Sequence, residues 1–340
     1  MPASVKRARS FGRTSCDGSR PVKSAVDLSV KIGKLELPYP TLMASGCYGS
    51  GEEFEAFADL SKIGAVVLKS VTREPRLGNP MPRLVPTPAG LLNAIGLQNP
   101  GIDWYLEHEV AKFAQRPCAV IGSVAAFSVD DYAYVTQRLA ARDEIAAIEL
   151  NISCPNVGSE GETFACDPAL TGKVVRAVRA VTGKTLIVKL SPNVTDIAAI
   201  AAEAESAGAD ALAVINTLRG MSIDVHAWKP RLGNLTGGLS GPAIRPVAVL
   251  AVYEAARAVS IPIVGQGGIE TATDALEFFL AGASAIAIGT ANFTDPRIPE
   301  KIVTELGAYL EARGLQSLRD IVGKANVGFG TPFQYEGDVG

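Results

Sequence analysis

The chain has 340 residues, 47% of them hydrophobic and 20% charged, which is typical of a globular protein with a packed core. Its net charge of −3 provides no basic surface for nucleic acid or an anionic membrane, so we expect neither as a partner. No apolar run reaches the ~18 residues that cross a bilayer, and no signal-peptide pattern is present, so we expect a cytoplasmic protein.

Residues 1–26 are predicted to form a disordered amino-terminal arm, because basic residues stand among Ser, Gly and Pro without apolar periodicity. A targeting peptide is the alternative, although a clear amphipathic pattern is missing. Residues 27–340 are predicted to form one catalytic domain.

From residue 41 onward, short apolar runs alternate with alanine-rich segments of helical period. The predicted strands are 41–45, 65–70, 118–123, 145–151, 185–190, 210–216, 261–265 and 284–289. The predicted helices lie near 52–62, 103–114, 128–142, 168–182, 195–207, 242–258, 271–281 and 297–313. Eight such units predict an α/β fold, a TIM (β/α)8 barrel. A doubly wound open sheet is the alternative, but its GxGxxG fingerprint is absent.

Two connections, 71–102 and 217–241, are too long for plain loops. Long ordered insertions are usually functional, and in a barrel they would cover the carboxyl-terminal face, where active sites lie. We therefore expect both insertions at that face.

Polar residues are predicted at the carboxyl end of every strand, and so around one rim. They are Ser45, Lys69, Ser70, Ser123, Asn151, Lys189, Asn216, Thr217, Gly265 to Gly268, Gly289 and Thr290. A lysine in an apolar strand is costly to bury, and a bound anion would offset that cost. Glycine turns after the last two strands suit a phosphate group, as in other TIM barrels. Lysines that reach solvent and ordinary turns are the alternatives.

Cys154 follows the fourth strand in the segment NISCPN (151–156), where a thiol could act as base or nucleophile. The other four cysteines are expected to be structural, and two scattered histidines are too few for a metal site, so we expect no metal. The carboxamide-rich loop 93–101 could bind a flat amide or imide.

These segments together resemble the dihydroorotate dehydrogenases from about residue 27 to the carboxyl-terminal region. The motifs are ASG (44–46), residues 68–101, ELNISCPNV (149–157), VKLSPNVTDI (188–197), INT (215–217), GGLSGPAIRP (237–246), GQGGI (265–269) and GT (289–290). The cysteine in NISCPN resembles the class 1 enzymes, and GLQNPG and SGPAIRP resemble class 1B. That class implies a partner subunit with FAD and a [2Fe–2S] cluster that passes electrons to NAD⁺. We also expect a homo-oligomer.

The resemblance implies FMN as cofactor and Cys154 as the catalytic base. It implies FMN contacts from Ser45, Lys69, Ser70, Asn151, Lys189, Ile215, Gly241, Gly267, Gly268, Gly289 and Thr290. It implies dihydroorotate contacts from Lys69, Asn93, Ala94, Ile95, Gly96, Leu97, Asn151, Asn216 and Thr217. Ser123 stands where relatives usually have a flavin-contacting asparagine, which puts that FMN contact in doubt.

Elementary chemistry agrees with this resemblance. Oxidation across C5–C6 of dihydroorotate needs a base for the C5 proton and a hydride acceptor for C6, and no side chain accepts hydride, so a flavin is required. The alternatives are a flavoprotein similar to the dihydropyrimidine dehydrogenases, and a non-redox barrel enzyme with a phosphorylated substrate.

Overall fold

A computed structural model describes residues 26–49, 54, 56–114, 116–152 and 164–326 of the protein. Its strands are β1 (Val30–Ile32), β2 (Leu35–Leu37), β3 (Thr41–Met43), β4 (Ala65–Val67), β5 (Leu84–Thr87), β6 (Gly90–Asn93), β7 (Ala119–Val124), β8 (Ala147–Asn151), β9 (Thr185–Lys189), β10 (Ala211–Val214), β11 (Leu218–Gly220), β12 (Ile223–Asp224), β13 (Lys229–Pro230), β14 (Gly237–Ser240), β15 (Ile263–Gln266) and β16 (Ala285–Ile288). Its α-helices are α1 (Ile102–His108), α2 (Val129–Ala140), α3 (Pro168–Arg179), α4 (Ile197–Ser206), α5 (Arg245–Ala258), α6 (Ala272–Ala281) and α7 (Ile298–Ala312).

Eight strands form a closed barrel in the order β3-β4-β7-β8-β9-β10-β15-β16. All neighbours are parallel, and β16 closes the barrel on β3, with Ile286 opposite Thr41. Each predicted barrel strand overlaps one of these strands, because each is an apolar run buried on both faces. The prediction of a TIM barrel is confirmed, and the open-sheet alternative is wrong.

The helix prediction for 52–62 is wrong for residues 56–62, where the structure has a turn and a short 3-10 helix, Leu60–Lys62. Asp59 stands in an extended conformation, and its carboxylate accepts hydrogen bonds from the backbone N–H and the hydroxyl of Ser61. An Asp in this role starts a new turn rather than continuing a helix. The other seven predicted helices each overlap an observed α-helix.

The predicted arm lies outside the described residues except for Val26, which is buried against the core. The boundary of the arm therefore stays a prediction. Among the helices in the described ranges, none is both long and apolar enough to span a bilayer.

The amino-terminal end of the barrel is covered by the hairpin of β1 and β2. At its turn, Gly33 has a φ of +58°, and a Cβ there would lie 2.8 Å from Asp210 Cβ and 2.9 Å from Thr185 Cγ2. Because residues 185 and 210 stand at the start of β9 and just before β10, the hairpin fills the amino-terminal opening and leaves the other end free for a site.

The two long insertions meet in one four-stranded sheet, in the order β11-β14-β6-β5, which we call the cover sheet. β6 of the first insertion is antiparallel to β14 of the second, with Leu92 opposite Leu239. A small apolar cluster that includes Val85, Leu92 and Leu232 packs the sheet. Both insertions thus lie over the carboxyl-terminal face, as the sequence predicts.

An ion pair between Arg245 and Asp274 attaches the start of α5 to the start of α6, which follows the glycine turn after β15. The Asp274 side chain is 9% exposed, and its second oxygen accepts from the backbone N–H groups of Glu270 at 3.0 Å and Thr271 at 2.9 Å. One carboxylate therefore anchors α5, α6 and the turn between β15 and α6.

We predict that Asp274→Asn lowers the free energy of unfolding by about 2–4 kcal/mol, since it removes the charge from a mostly buried ion pair and one acceptor from two N–H groups. Urea unfolding of both proteins measures this loss. The control is Asp196→Asn at the N-cap of α4, where the carboxylate accepts from Ala199 N–H at 3.0 Å. Asn caps helices about as well as Asp, so equal losses in the two variants would contradict the assigned role.

Candidate active site

A cavity of about 460 Å³ lies at the carboxyl end of the barrel, between the strand ends and the cover sheet. Seven of the eight barrel strands, or the residues just after them, contribute to its wall, as do β5, β6 and β14 of the cover sheet. This is the position at which TIM barrels hold their active sites.

Most of the predicted site residues line this one cavity. They are Ser45, Lys69, Ser70, Asn93, Ile95, Gly96, Leu97, Asn151, Lys189, Ile215, Asn216, Thr217, Gly241, Gly267, Gly268, Gly289 and Thr290. Ser123 and Ala94 are buried but do not line it. Ala94 instead packs in the apolar cluster of the cover sheet. Cys154 lies outside the described residues.

Ser123 lies in a chain of hydrogen bonds below the cavity wall. Its hydroxyl is 2.8 Å from Ser70 Oγ and donates to Glu149 Oε1 at 3.2 Å. Ser70 Oγ also accepts from Asn151 Nδ2 at 3.1 Å and lies 3.4 Å from Ser45 Oγ. A serine is shorter than the asparagine expected from the family, so residue 123 connects the cavity wall to a buried glutamate instead of reaching into the cavity.

Two lysines give the cavity positive charge. Lys189, at the end of β9, is only 6% exposed. Lys69 packs over Gly46, where a Cβ would lie 3.5 Å from its Nζ. Two ammonium groups on one wall favour a bound anion, as the sequence predicts.

Cys47 is a cavity residue that sequence reasoning missed. Burial raises the pKa of its thiol, although Lys189 and Lys69 act in the opposite direction. A neutral thiol is a poor base and nucleophile at neutral pH. Cys47 is therefore not suited to take a proton from a substrate.

Two glycines of the cavity wall, one after β14 and one after β15, have a backbone conformation that other residues adopt only with strain. Gly241 and Gly268 have φ angles of +93° and +76°. A Cβ on Gly268 would lie 2.7 Å from Gly241 O, and a Cβ on Gly241 would lie 2.6 Å from Gly90 Cα. Glycine is therefore required here by the backbone conformation and by the close packing of these turns, and both residues leave main chain without a side chain at the cavity wall.

The carboxamides of the cavity are held in place by the cover sheet and by residues next to it. Asn93 Nδ2 donates to Gly238 O at 3.2 Å, across the pair of β6 and β14. Asn216 Oδ1 accepts from the N–H of Thr217 at 2.8 Å, and Thr217 O accepts from Asn193 Nδ2 at 3.1 Å. Fixed donors and acceptors of this kind suit a flat polar ligand.

Other lining residues were not individually predicted from the sequence. They are Ala44, Gly46, Cys47, Leu84, Leu91, Ser240, Ile244, Gln266, Ile269, Glu270, Ala287, Ala291 and Phe293. Ser240 and Gln266 are next to glycines that the sequence predicts at the site. Their position beside those glycines was the signal that could have identified them. Leu84 and Leu91 carry no polar signal, and only the pairing of the cover sheet brings them to the cavity.

Within the parts of the chain that the structure describes, no cluster of three or more His, Cys, Asp or Glu residues could hold a metal ion. The polar groups of the cavity are ammonium groups, hydroxyls and carboxamides. They suit an anionic organic ligand better than a cation.

We predict that Gly268→Ala lowers the free energy of unfolding by about 1–3 kcal/mol more than Gly314→Ala does. Both glycines have positive φ, +76° and +69°, but Gly314 has no atom within 4 Å of an added Cβ. The control therefore reports backbone strain alone, and the difference reports the clash with Gly241 O. Equal values in urea unfolding would show that the turn can relax.

The family model described as dihydroorotate dehydrogenase matches residues 27–310. A dihydroorotate dehydrogenase B (NAD(+)), catalytic subunit, of Trichlorobacter lovleyi is 51% identical over 296 residues, which cover 87% of this chain and 97% of the relative. The protein of the same name from Desulforamulus reducens is 50% identical over 302 residues, covering 89% of this chain and 99% of that protein.

A crystal structure of the Eimeria tenella enzyme in complex with ferulenol, described as DHODH, is also similar. It has a TM-score of 0.73 at 22% sequence identity, and the match covers 89% of each chain. At this identity the likeness supports the barrel fold alone.

Proposed function

Because the chain belongs to the dihydroorotate dehydrogenase family, we propose that it oxidises dihydroorotate to orotate in pyrimidine (UMP) biosynthesis, with FMN as cofactor. The observation that carries the proposal is one cavity that combines the buried Lys189, the half-buried Lys69, glycine turns and fixed carboxamides. A flavoprotein similar to the dihydropyrimidine dehydrogenases would need no group for a substrate carboxylate, whereas this cavity holds two lysines.

The residues present fit a flavin mononucleotide. The turns at Gly267 and Gly268 and at Gly289 and Thr290 bring main chain to the cavity wall, where they would hold a single terminal phosphate. FMN, when bound, supplies the acceptor for the hydride that leaves C6 of dihydroorotate. Lys189 contributes a fixed positive charge that stabilises negative charge in the cavity.

The substrate end of the cavity is proposed at the carboxamides. Asn93, Asn151, Asn216 and Thr217 line that side, and each has a backbone or side-chain partner that restricts its orientation. Lys69 is the cation best placed to pair with the substrate carboxylate, because it lies beside Gly46 at the rim rather than in the strand interior.

We propose Cys154 as the base that accepts the C5 proton. Two features support it: β8 brings Asn151 to the cavity wall, and Cys154 follows in the same segment three positions later. Cys47 lines the cavity, but burial raises the pKa of its thiol, which makes it less suited to this role.

The catalytic-subunit name of the relatives supports a separate partner subunit for this chain. We propose that this partner carries FAD and a [2Fe–2S] cluster and passes electrons to NAD⁺. A homo-oligomer and a cytoplasmic location stay predictions of the sequence.

The proposed function predicts that the purified protein carries FMN and that dihydroorotate bleaches its visible absorbance under anaerobic conditions. Stopped-flow absorbance measures the reduction, and orotate is identified among the products. Uracil and thymine, tested for reduction by the pre-reduced protein, should not react. A colourless protein that cannot be reconstituted with FMN, or turnover of uracil in place of dihydroorotate, contradicts the proposal.

We predict that Cys154→Ala keeps bound FMN but reduces it about 10²–10⁴ times more slowly, because the base is lost. An ordinary thiol has a pKa of about 8.5, and only the thiolate accepts a proton, so the wild-type rate should rise with pH until Cys154 is ionised. Stopped-flow reduction between pH 6 and 10 measures both effects, and Cys154→Ser should regain activity only in alkaline solution.

Cys118→Ala is the matched control for this experiment. Cys118 lies just before β7, at the opposite end of the barrel, and burial raises the pKa of its thiol to about 11. The control should keep the wild-type pH profile. A Cys154→Ala protein that reduces its flavin as fast as Cys118→Ala would assign the base to another residue.

A further inference from the structure

Gln266 is the last residue of β15, and its side chain faces the interior of the barrel. The preceding residue, Gly265, faces outward, because a Cβ there would lie 2.6 Å from Phe278 Cδ1 and 3.2 Å from Ala283 Cβ. Successive residues of a strand face opposite sides, so position 266 faces the barrel axis. Gln266 is 4% exposed and lines the cavity described above.

The carboxamide of Gln266 has a donor that the protein leaves unused. Among the described residues, its buried Nε2 finds no hydrogen-bond partner. A buried donor without a partner costs about 1–3 kcal/mol, and native proteins rarely keep one without a reason. A ligand acceptor in the cavity would remove this cost.

The backbone around Gln266 is fixed, so the side chain cannot escape by a shift of the strand. Its carbonyl accepts from the N–H of Ile215 at 3.0 Å, and its Cα is paired with that of Ala287 on β16. Both neighbours line the cavity, as does Gly267, which follows in the chain. Gly267 and Ile215 belong to the residues proposed to contact the cofactor, whereas the groups proposed for the substrate are Asn93, Asn151, Asn216 and Thr217.

We propose that Gln266 is a cofactor-contacting residue whose Nε2–H donates a hydrogen bond to an acceptor atom of the flavin. The inference rests on the proposed function and adds to it a contact that no glycine turn or lysine supplies. The isoalloxazine ring carries carbonyl oxygens and ring nitrogens that accept hydrogen bonds, so a single amide donor on the barrel side has a chemically suitable partner. A donor to the ring also favours the more electron-rich reduced form, so Gln266 contributes to the reduction potential.

The test compares Gln266→Met, which keeps the approximate volume but has no donor, with wild type and with Thr41→Val. Thr41 on β3 is the matched control because its buried Oγ1 also has no partner in the described part of the chain, yet it does not line the cavity. FMN is removed and added back, and the dissociation constant is measured from quenching of flavin fluorescence. Melting temperatures are recorded without FMN and at saturating FMN.

We expect Gln266→Met to bind FMN about tenfold more weakly than wild type, because one hydrogen bond is lost. Without FMN it should melt at or above the wild-type temperature, because an unsatisfied donor has been removed, and it should gain less on adding FMN. Its visible absorption spectrum should shift and its flavin reduction potential should become more negative. Thr41→Val should keep the wild-type affinity and spectrum.

Equal FMN affinity and an unchanged spectrum in Gln266→Met would overturn the inference and leave the proposed function intact. Failure of the wild type itself to bind FMN would overturn both, so the two failures are distinguishable. If Gln266→Met does not fold, Gln266→Leu answers the same question, since it also lacks the donor.

Discussion

The hydrogen bonds between β16 and β3 close the sheet, and the position of every site residue depends on that closure. Ile286 pairs with Thr41 although the two are far apart in the chain. Closure turns eight consecutive strand ends into one ring, so residues that are scattered over the sequence face one cavity. Without it Lys69, which follows β4, and the glycine turn after β15 would lie near opposite edges of an open sheet.

The interior of the barrel below the cavity is unusually polar for a protein core. Glu149 and Lys189 are 3% and 6% exposed, and burying such groups is costly unless they find partners. Glu149 accepts from Ser123, and the serine chain leads on to Asn151 at the cavity wall. This buried hydrogen-bond network therefore holds the polar side chains of the cavity wall in fixed orientations.

Much of the fold follows from the sequence, because apolar strands buried on both faces and alanine-rich helices have strong local patterns. The helix prediction for 52–62 failed because the Asp59 side chain caps a new turn. Hydrogen bonds from a side chain to the backbone compete with a continuous helix, and hydrophobic periodicity does not reveal them. The two insertions were predicted at the carboxyl-terminal face, but neither their strands nor the pairing of those strands was, since strands of three or four residues from distant insertions have no periodic signal.

Within the site, glycines and lysines were predictable because they break an apolar pattern, and Cys154 remains a prediction of the sequence alone. Gln266 was predicted only as part of the rim segment Gly265 to Gly268, because its unpaired amide donor is visible only in the coordinates. Ser123 was predicted at the rim, but its short side chain bonds to Ser70 and Glu149 below the wall.

The pairing of β6 with β14 also has a consequence for how the protein folds. Asn93 and Gly238 are 145 positions apart in sequence, and closing a loop of that length costs conformational entropy before the contact can stabilise the protein. Thr41 and Ile286, which pair where the barrel closes, are even farther apart in the chain. Because both the barrel and the sheet above its cavity depend on such long-range pairs, we expect slower folding than for a protein of this size with mainly local contacts.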